Sequence, residues 1–326
     1  MQVKELDALP FPAWDLIDFD TYAKRPKFAK NIRGKRYAPI FTSRGCPYKC
    51  AYCHNVFGKK FRWRSAENVL KEVHLLKDTF GVDELEIVDD IFNLHRPRLK
   101  KICKGLQPLN MHICFPNGLR ADILKKETVK DLADAGTYEV NVAVETVTPR
   151  LQTLVEKYVN FRKLTDAVKW MNQYGIAVKG FFMIGFPTET KQEIQDTIQY
   201  ALQSDFTYAG FFSVVPQRGT RIYDLAMSEN SEALKKISMD DYYSDTTWYS
   251  EAYRIDLKKI QKKAFLKFYL TNPKRILRIL KFTRFKALLF GIYDLIKITF
   301  YESRGDVDIE PELPGLQSSA ETKPKL

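Results

Sequence analysis

The sequence predicts an α/β fold, a partial barrel of six βα units with parallel strands and one open side, followed by a helical C-terminal extension. Two observations predict it. From Tyr37 to Val215, short apolar runs alternate with amphipathic stretches at helical spacing, the pattern of parallel βα units. Beyond Asp224 that rhythm gives way to a polar stretch with clustered aromatics and then to basic helical sequence, so the repeat stops after six strands. A closed barrel of this kind needs eight. The length of 326 residues accommodates one large barrel or two domains, and 45% apolar residues suffice for a sizeable core.

Residues 1–35 read as a linker-like segment: Pro10 and Pro12 disfavour helix, and Phe11 and Trp14 suit a stretch lying over a surface. Residues 36–226 are the predicted barrel. Its strands are expected at 39–42, 85–88, 112–115, 139–144, 177–184 and 208–215. Ser65 is placed to cap a helix with Val69, Val73 and Leu76 on one face, and residues 160–174 form another around Leu164, Ala167, Val168 and Met171. Residues 227–302 read as a basic helical region, with Tyr242, Tyr243, Trp248, Tyr249 and Tyr253 leading into helices at 256–270 and from Pro273. Residues 303–326, rich in proline and acids, have the composition of a disordered tail.

The chemistry concentrates at Ser43-Arg44-Gly45-Cys46-Pro47-Tyr48-Lys49-Cys50-Ala51-Tyr52-Cys53-His54, which holds three of the five cysteines. A C-x3-C-x2-C loop can turn its thiolates toward one point, as iron-sulfur clusters or zinc require. A structural zinc site needs a fourth ligand, for which His54, Cys103 and Cys114 are candidates. A four-iron four-sulfur cluster on three cysteines instead leaves one iron open to a small molecule. Cys50-Ala51-Tyr52-Cys53-His54 also spells the C-x-x-C-H pattern of c-type haem attachment, but that reading needs export and leaves Cys46 unexplained. No charged-then-apolar signal segment opens the sequence, and two cysteines outside the trio make no disulfide framework, so the expected compartment is reducing cytoplasm.

This loop resembles the cluster-binding signature of the radical S-adenosylmethionine (SAM) superfamily, which has an aromatic, here Tyr52, just before its third cysteine. The resemblance implies that Cys46, Cys50 and Cys53 hold a 4Fe-4S cluster, and that the methionine end of SAM chelates the open iron. Further stretches follow in the family's order. Val88-Asp89-Asp90-Ile91-Phe92 stands where the family has G-G-E, with Asp90 at the acid and a D-D-x-F form that resembles the cobalamin-dependent branch. Arg120, after the third strand, is placed to face the SAM carboxylate, or to form an ordinary salt bridge. Ala143-Val144-Glu145-Thr146-Val147-Thr148 resembles G-I-E-S-G-S, with Glu145 at the acid and both glycines replaced. Gly180-Phe181-Phe182-Met183-Ile184-Gly185-Phe186-Pro187-Thr188-Glu189-Thr190 is similar to the adenine-side motif, which implies cofactor-binding roles for Gly180 and Gly185. Pro216-Gln217-Arg218-Gly219-Thr220-Arg221-Ile222-Tyr223 resembles the turn after the sixth strand, with Arg218 in place of a proline.

The implied reaction is reductive cleavage of SAM and hydrogen abstraction from a small-molecule substrate, for methylation or rearrangement, with electrons from a low-potential donor such as a ferredoxin or flavodoxin. Cobalamin is expected only if another chain supplies it. The branch's D-x-H-x-x-G pattern is missing, since none of His54, His74, His95 and His112 has Asp two positions before it, and residues 1–35 are too few for a cobalamin domain. Two readings from other classes are a non-catalytic zinc or iron-sulfur module and a membrane-surface scaffold.

Charge bears on the last of these. Residues 258–297 carry twelve Lys and Arg against one acid, 12 − 1 = +11 of the net +12. The most apolar segment there, 285–300, is too short and too charged to span a membrane. Packing on the barrel is the first expectation for this region, contact with an anionic membrane surface the second, and nucleic acid the last.

Overall fold

A computed structural model of the chain describes residues 3–23, 31, 33–53, 56–237, 246–285, 287–289 and 291–293. The readings on His54, Tyr242, Tyr243, Lys286, Asp294, Lys297 and the 303–326 tail lie outside them.

Six strands form one sheet: β1 (Tyr37–Ile40), β2 (Glu84–Ile87), β3 (His112–Phe115), β4 (Thr137–Glu145), β5 (Ala177–Ile184) and β6 (Tyr208–Ser213). They stand in sequence order and every neighbouring pair is parallel, as six consecutive βα units require. The connecting helices are α1 (Ala66–Phe80), α2 (Arg96–Leu106), α3 (Lys126–Asp134), α4 (Pro149–Leu154), α5 (Phe161–Gln173) and α6 (Lys191–Gln203).

Alternation along the strands separates two faces. Leu85, Ile87, Ile113, Phe115, Val140, Val142, Val178 and Phe182 join the helices in one buried core, while Glu86, Cys114, Asn141 and Lys179 alternate with them on the barrel side. Helix starts follow the sequence's capping residues. Ser65 accepts a hydrogen bond from Asn68 N at 3.0 Å, Asn160 from Lys163 N at 3.0 Å, and Thr190 with Glu193 completes a capping box on α6.

Two of the expected boundaries differ from the observed architecture. The N-terminal segment is part of the barrel rather than a separate linker: Trp14 is buried in the core and its indole N–H donates to Glu72 on α1 at 2.9 Å. On either side of the two prolines the backbone makes short 3-10 turns, Leu6–Ala8 and Trp14–Leu16, and a short α-helix follows at Phe19–Ala23. At the other end, α7 (Arg221–Lys235) runs through the expected break at 226.

The basic region packs on the barrel, the first of the three expectations for it. Helices α8 (Trp248–Tyr253), α9 (Leu257–Leu270) and α10 (Pro273–Phe282) follow α7, with Trp248, Tyr249, Leu257, Ala264 and Phe268 in the same core as the sheet. Tyr269 Oη accepts from Ala209 N at 3.1 Å and donates to its carbonyl at 3.0 Å, which ties α9 to β6. Arg275, within the charge run, is buried, lies over the Phe268 ring at 3.7 Å and donates to the carbonyls of Phe268, Ala201, Leu202, Ser204 and Phe206. Five carbonyl acceptors replace the water this guanidinium loses. Among the described residues no helix is long and apolar enough to cross a membrane.

Candidate functional site

Parallel sheets gather their functional loops at the carboxyl ends of the strands, and the cysteine loop leaves β1 at that end. Its root is a short antiparallel pair, Ser43–Arg44 with Arg62–Trp63. Gly45 has φ +85°, and a Cβ there would lie 2.4 Å from the Lys60 carbonyl oxygen, so only glycine fits. Asp90, from the loop after β2, accepts from Gly45 N at 2.7 Å. Its neighbour Asp89 is fully buried and accepts from Thr42 N at 2.6 Å, Thr42 Oγ1 at 2.5 Å and Ser43 Oγ at 2.6 Å. The D-D pair therefore clamps the start of the cysteine loop.

The far side of that loop is sewn to later elements. Ala51 N donates to the Val155 carbonyl at 2.9 Å, and Ile222 N donates to the Ala51 carbonyl at 3.2 Å. Arg221 Nη2 donates to the Lys49 carbonyl at 3.0 Å and its Nη1 pairs with Glu156. Lys59 Nζ donates to the Tyr48 carbonyl at 2.8 Å. The 216–223 turn, read from sequence as a motif, is thereby a support for the loop.

Cys46 and Cys50 are half-buried and Cys53 is exposed, and none of the three is in a disulfide. Burial pushes the Cys46 and Cys53 thiols up, the neighbouring cysteines add to the rise, and Lys59 opposes it. The trio is thus within electrostatic reach of one another. Among the described residues, however, no three His, Cys, Asp or Glu side chains converge as a single metal ion would require. Three thiols within reach of one another are a donor set that suits an iron-sulfur cluster. Cys103 and Cys114 are buried, with thiols pushed up by that burial, Cys103 to about 12, which suits inert core residues.

A second group stands at the end of β4. Glu145 is a buried carboxylate in the left-handed region at φ +67°, an uncommon conformation for a residue with a side chain. Tyr52 Oη donates to Glu145 Oε1 at 3.0 Å, and Lys157 Nζ reaches the same oxygen at 2.9 Å and the Tyr52 hydroxyl at 3.1 Å. Two residues singled out separately in the sequence, Tyr52 and Glu145, are in direct contact. Lys157 was not singled out, and nothing in its surroundings, a turn with Glu156 and Tyr158 both at positive φ, marks it in the sequence.

Three other sequence candidates, Arg120, Gly180 and Gly185, are in contact with the protein's own groups. Arg120 is committed to the protein: it pairs with Asp122 at 3.0 Å, donates to the carbonyls of Lys157 at 2.9 Å and Tyr158 at 3.2 Å, and lies over the Tyr48 ring at 3.9 Å. It positions the Lys157 turn and the cysteine loop together. Gly180 belongs to the helix-facing side of β5, where an added Cβ would meet Phe182 and Phe206. Gly185 has φ +88°, and the space its side chain would need is taken by Leu257 at 2.5 Å and Tyr249 at 3.1 Å. Its N–H and that of Phe186 donate to Glu189 at 2.5 and 2.9 Å, so the motif's acid folds back on the turn, while Thr190 caps α6.

Residues 40–201, from the end of β1 into α6, match the family model described as the Radical SAM superfamily. An uncharacterized methyltransferase of Pyrococcus horikoshii is 29% identical over 282 residues, covering 85% of this chain and 59% of its own. The cytidylyl-2-hydroxyethylphosphonate methyltransferase of Streptomyces wedmorensis is 30% identical over 228 residues, covering 67% of this chain and 43% of its own. The chain spans about half the length of these curated relatives. Among solved structures, the radical S-adenosylmethionine methyltransferase TsrM of Kitasatospora setae, with cobalamin and a 4Fe-4S cluster bound, shares the fold at TM-score 0.54 and 20% identity, over 59% of this chain and 37% of its own. With its cysteine loop, its six-stranded parallel sheet and this match, the chain belongs to the Radical SAM superfamily.

Proposed function

We propose that the chain is a radical SAM enzyme in which Cys46, Cys50 and Cys53 hold a 4Fe-4S cluster, and that it modifies a carbon centre of a small molecule, by methylation in the manner its relatives' names indicate. The observation that carries this reading is the joining of two separate sequence signals, Tyr52 of the cysteine loop and the Glu145 carboxylate, by a 3.0 Å hydrogen bond at the strand ends. The chemistry such a cluster supplies once reduced is one-electron cleavage of a carbon–sulfur bond in SAM, giving a carbon radical that removes hydrogen from a substrate. The protein's residues set the geometry. Asp89 and Asp90 fix the loop that presents the thiols, and Arg221 and the Val155 carbonyl hold its other side. Glu145, bearing one hydrogen bond from Tyr52 and one from Lys157 on a single oxygen, keeps acceptor capacity for the amino or ribose groups of SAM. Arg120 acts as a positioning residue through Tyr48 and the Lys157 turn.

The electrons come from a low-potential donor such as a ferredoxin or flavodoxin. The test is to incubate anaerobically reconstituted, dithionite-reduced protein with SAM and measure 5′-deoxyadenosine. Formation above the level of a Cys50→Ala variant is expected, and equal background in both overturns the reading.

A second property, contact with an anionic membrane surface from the cytoplasmic side, is favoured by α10, whose exposed Ile276, Leu277 and Leu280 lie beside exposed Lys274 and Lys281. Sedimentation with phosphatidylglycerol vesicles but not with phosphatidylcholine vesicles is expected, and its absence rejects that contact.

A further inference from the structure

Between the barrel-side face of β3–β6 and the C-terminal helices lies a cavity of about 650 Å³, in the range of sites for small organic ligands. It is separate from the Tyr52–Glu145 group. Most of its wall is apolar, contributed by Phe212 on the sheet, Phe265 on α9, Ile279 on α10 and Leu288 beyond it. Its outer rim is apolar too, since Leu270, Leu280 and Ile292 line it and are exposed. An uncharged, water-poor molecule would enter there without shedding a hydration shell.

The polar exceptions narrow the ligand further. Glu139 and Asn141 line the cavity from β4, are 9% and 8% exposed, and each keeps a buried oxygen, Oε2 and Oδ1, that accepts no hydrogen bond among the described residues. The rest of each side chain is committed: Glu139 hydrogen-bonds to Asn31, and Asn141 Nδ2 donates to the Pro116 carbonyl at 2.6 Å. Buried acceptors left without donors are costly and call for a partner. What is missing is therefore a donor. Burial raises the Glu139 carboxyl, Lys179 on the same wall opposes the rise, and the apolar wall around them does not suit a charged ligand. Asn141 lies four residues before Glu145 on the same strand, roughly 13 Å at the rise of a strand. A ligand anchored at Asn141 can extend toward the strand ends along a wall that includes Pro116 and Phe212.

We propose that this cavity is the substrate site and takes an uncharged, largely apolar molecule with two donor groups, a hydroxyl that donates to the free oxygen of Asn141 and a second O–H or N–H for that of Glu139. The word substrate rests on the proposed function, and binding itself does not.

The test is a fluorescence titration of the full chain with N-phenyl-1-naphthylamine, an apolar probe with one N–H donor, followed by displacement with 1-decanol and with decyl methyl ether. The expected result is saturable binding of one probe per chain, with displacement by the alcohol about tenfold stronger than by the ether, which cannot donate. Ala287→Trp and, separately, Leu288→Trp, at half-buried wall positions, should weaken probe binding at least tenfold, and Asn141→Leu should erase the preference for the alcohol. Circular dichroism confirms that each variant is folded. Absence of probe binding, binding unchanged in both tryptophan variants, or equal displacement by alcohol and ether overturns the inference. None of these readouts depends on the cluster, so its failure is distinguishable from failure to cleave SAM.

Discussion

Lys157 gives the candidate site its sharpest test at the level of single residues. Its ammonium and the Glu145 carboxylate are both buried, 8% and 6% exposed, and pair at 2.9 Å. Removing one partner of such a pair leaves a buried charge uncompensated, at a cost of about 3–5 kcal/mol. Lys157→Met should therefore destabilise the fold by that order in chemical denaturation, and Lys157→Met with Glu145→Gln should recover most of it. A double variant as unstable as the single one would mean that the two side chains do not act as a pair. Glu189 offers a pH test. Burial raises its carboxyl to about 7, against the opposing pull of the Phe186 and Gly185 N–H groups. A folded-state value raised above the unfolded value of about 4.3 contributes stability that is complete below that value and is lost as pH rises through about 7. Glu189→Gln removes the titration, so its stability relative to wild type should improve between about pH 5 and about pH 8, by on the order of 3 kcal/mol. An unchanged difference across that range contradicts the assignment. Tyr52, Asp90 and Glu145 were legible because each sits inside a spaced motif. Lys157 was not, since its role depends on a turn that brings it back across the end of β4.

The elements themselves were largely written in periodicity and caps. All six strands overlap their expected positions, and Ser65, Asn160, Asp256 and Asn272 each accept the hydrogen bond that their position before a helix predicts. At Gly185 the structure adds neighbours that the sequence does not show. A glycine at a strand end suits close approach of a ligand, but here the approaching groups are Leu257 at the start of α9 and Tyr249 of α8. No local pattern encodes a contact some 70 residues downstream. Gly185→Ala combines an unfavourable positive φ with this overlap, and should cost about 1–3 kcal/mol. It should also make α8 and α9 more sensitive to limited proteolysis. Retained protease resistance would show that those helices do not depend on the turn.

At the scale of the whole molecule, one core joins Trp14, the sheet and α8–α9, so the linker-like start and the basic end are parts of the barrel's structure. The charge run obscured this. Arg275 looks from sequence like one more surface cation, whereas its burial among five carbonyls fastens α10 to the end of α6 and the following turn. Cobalamin is a further test of the assembly. A cofactor of that size needs a folded cradle, and the sequence carries no D-x-H-x-x-G. Equilibrium dialysis of this chain with hydroxocobalamin should show no stoichiometric retention at micromolar concentration, and retention would place a binding surface on the barrel or its C-terminal helices. The measurement that bears most directly on the central claim is the iron and sulfide content after anaerobic reconstitution. About four iron and four sulfide per chain are expected, lost in Cys46→Ala, Cys50→Ala or Cys53→Ala and kept in Cys103→Ala and Cys114→Ala. Stoichiometric zinc in place of iron, or loss of the cluster in either of the last two variants, would contradict it.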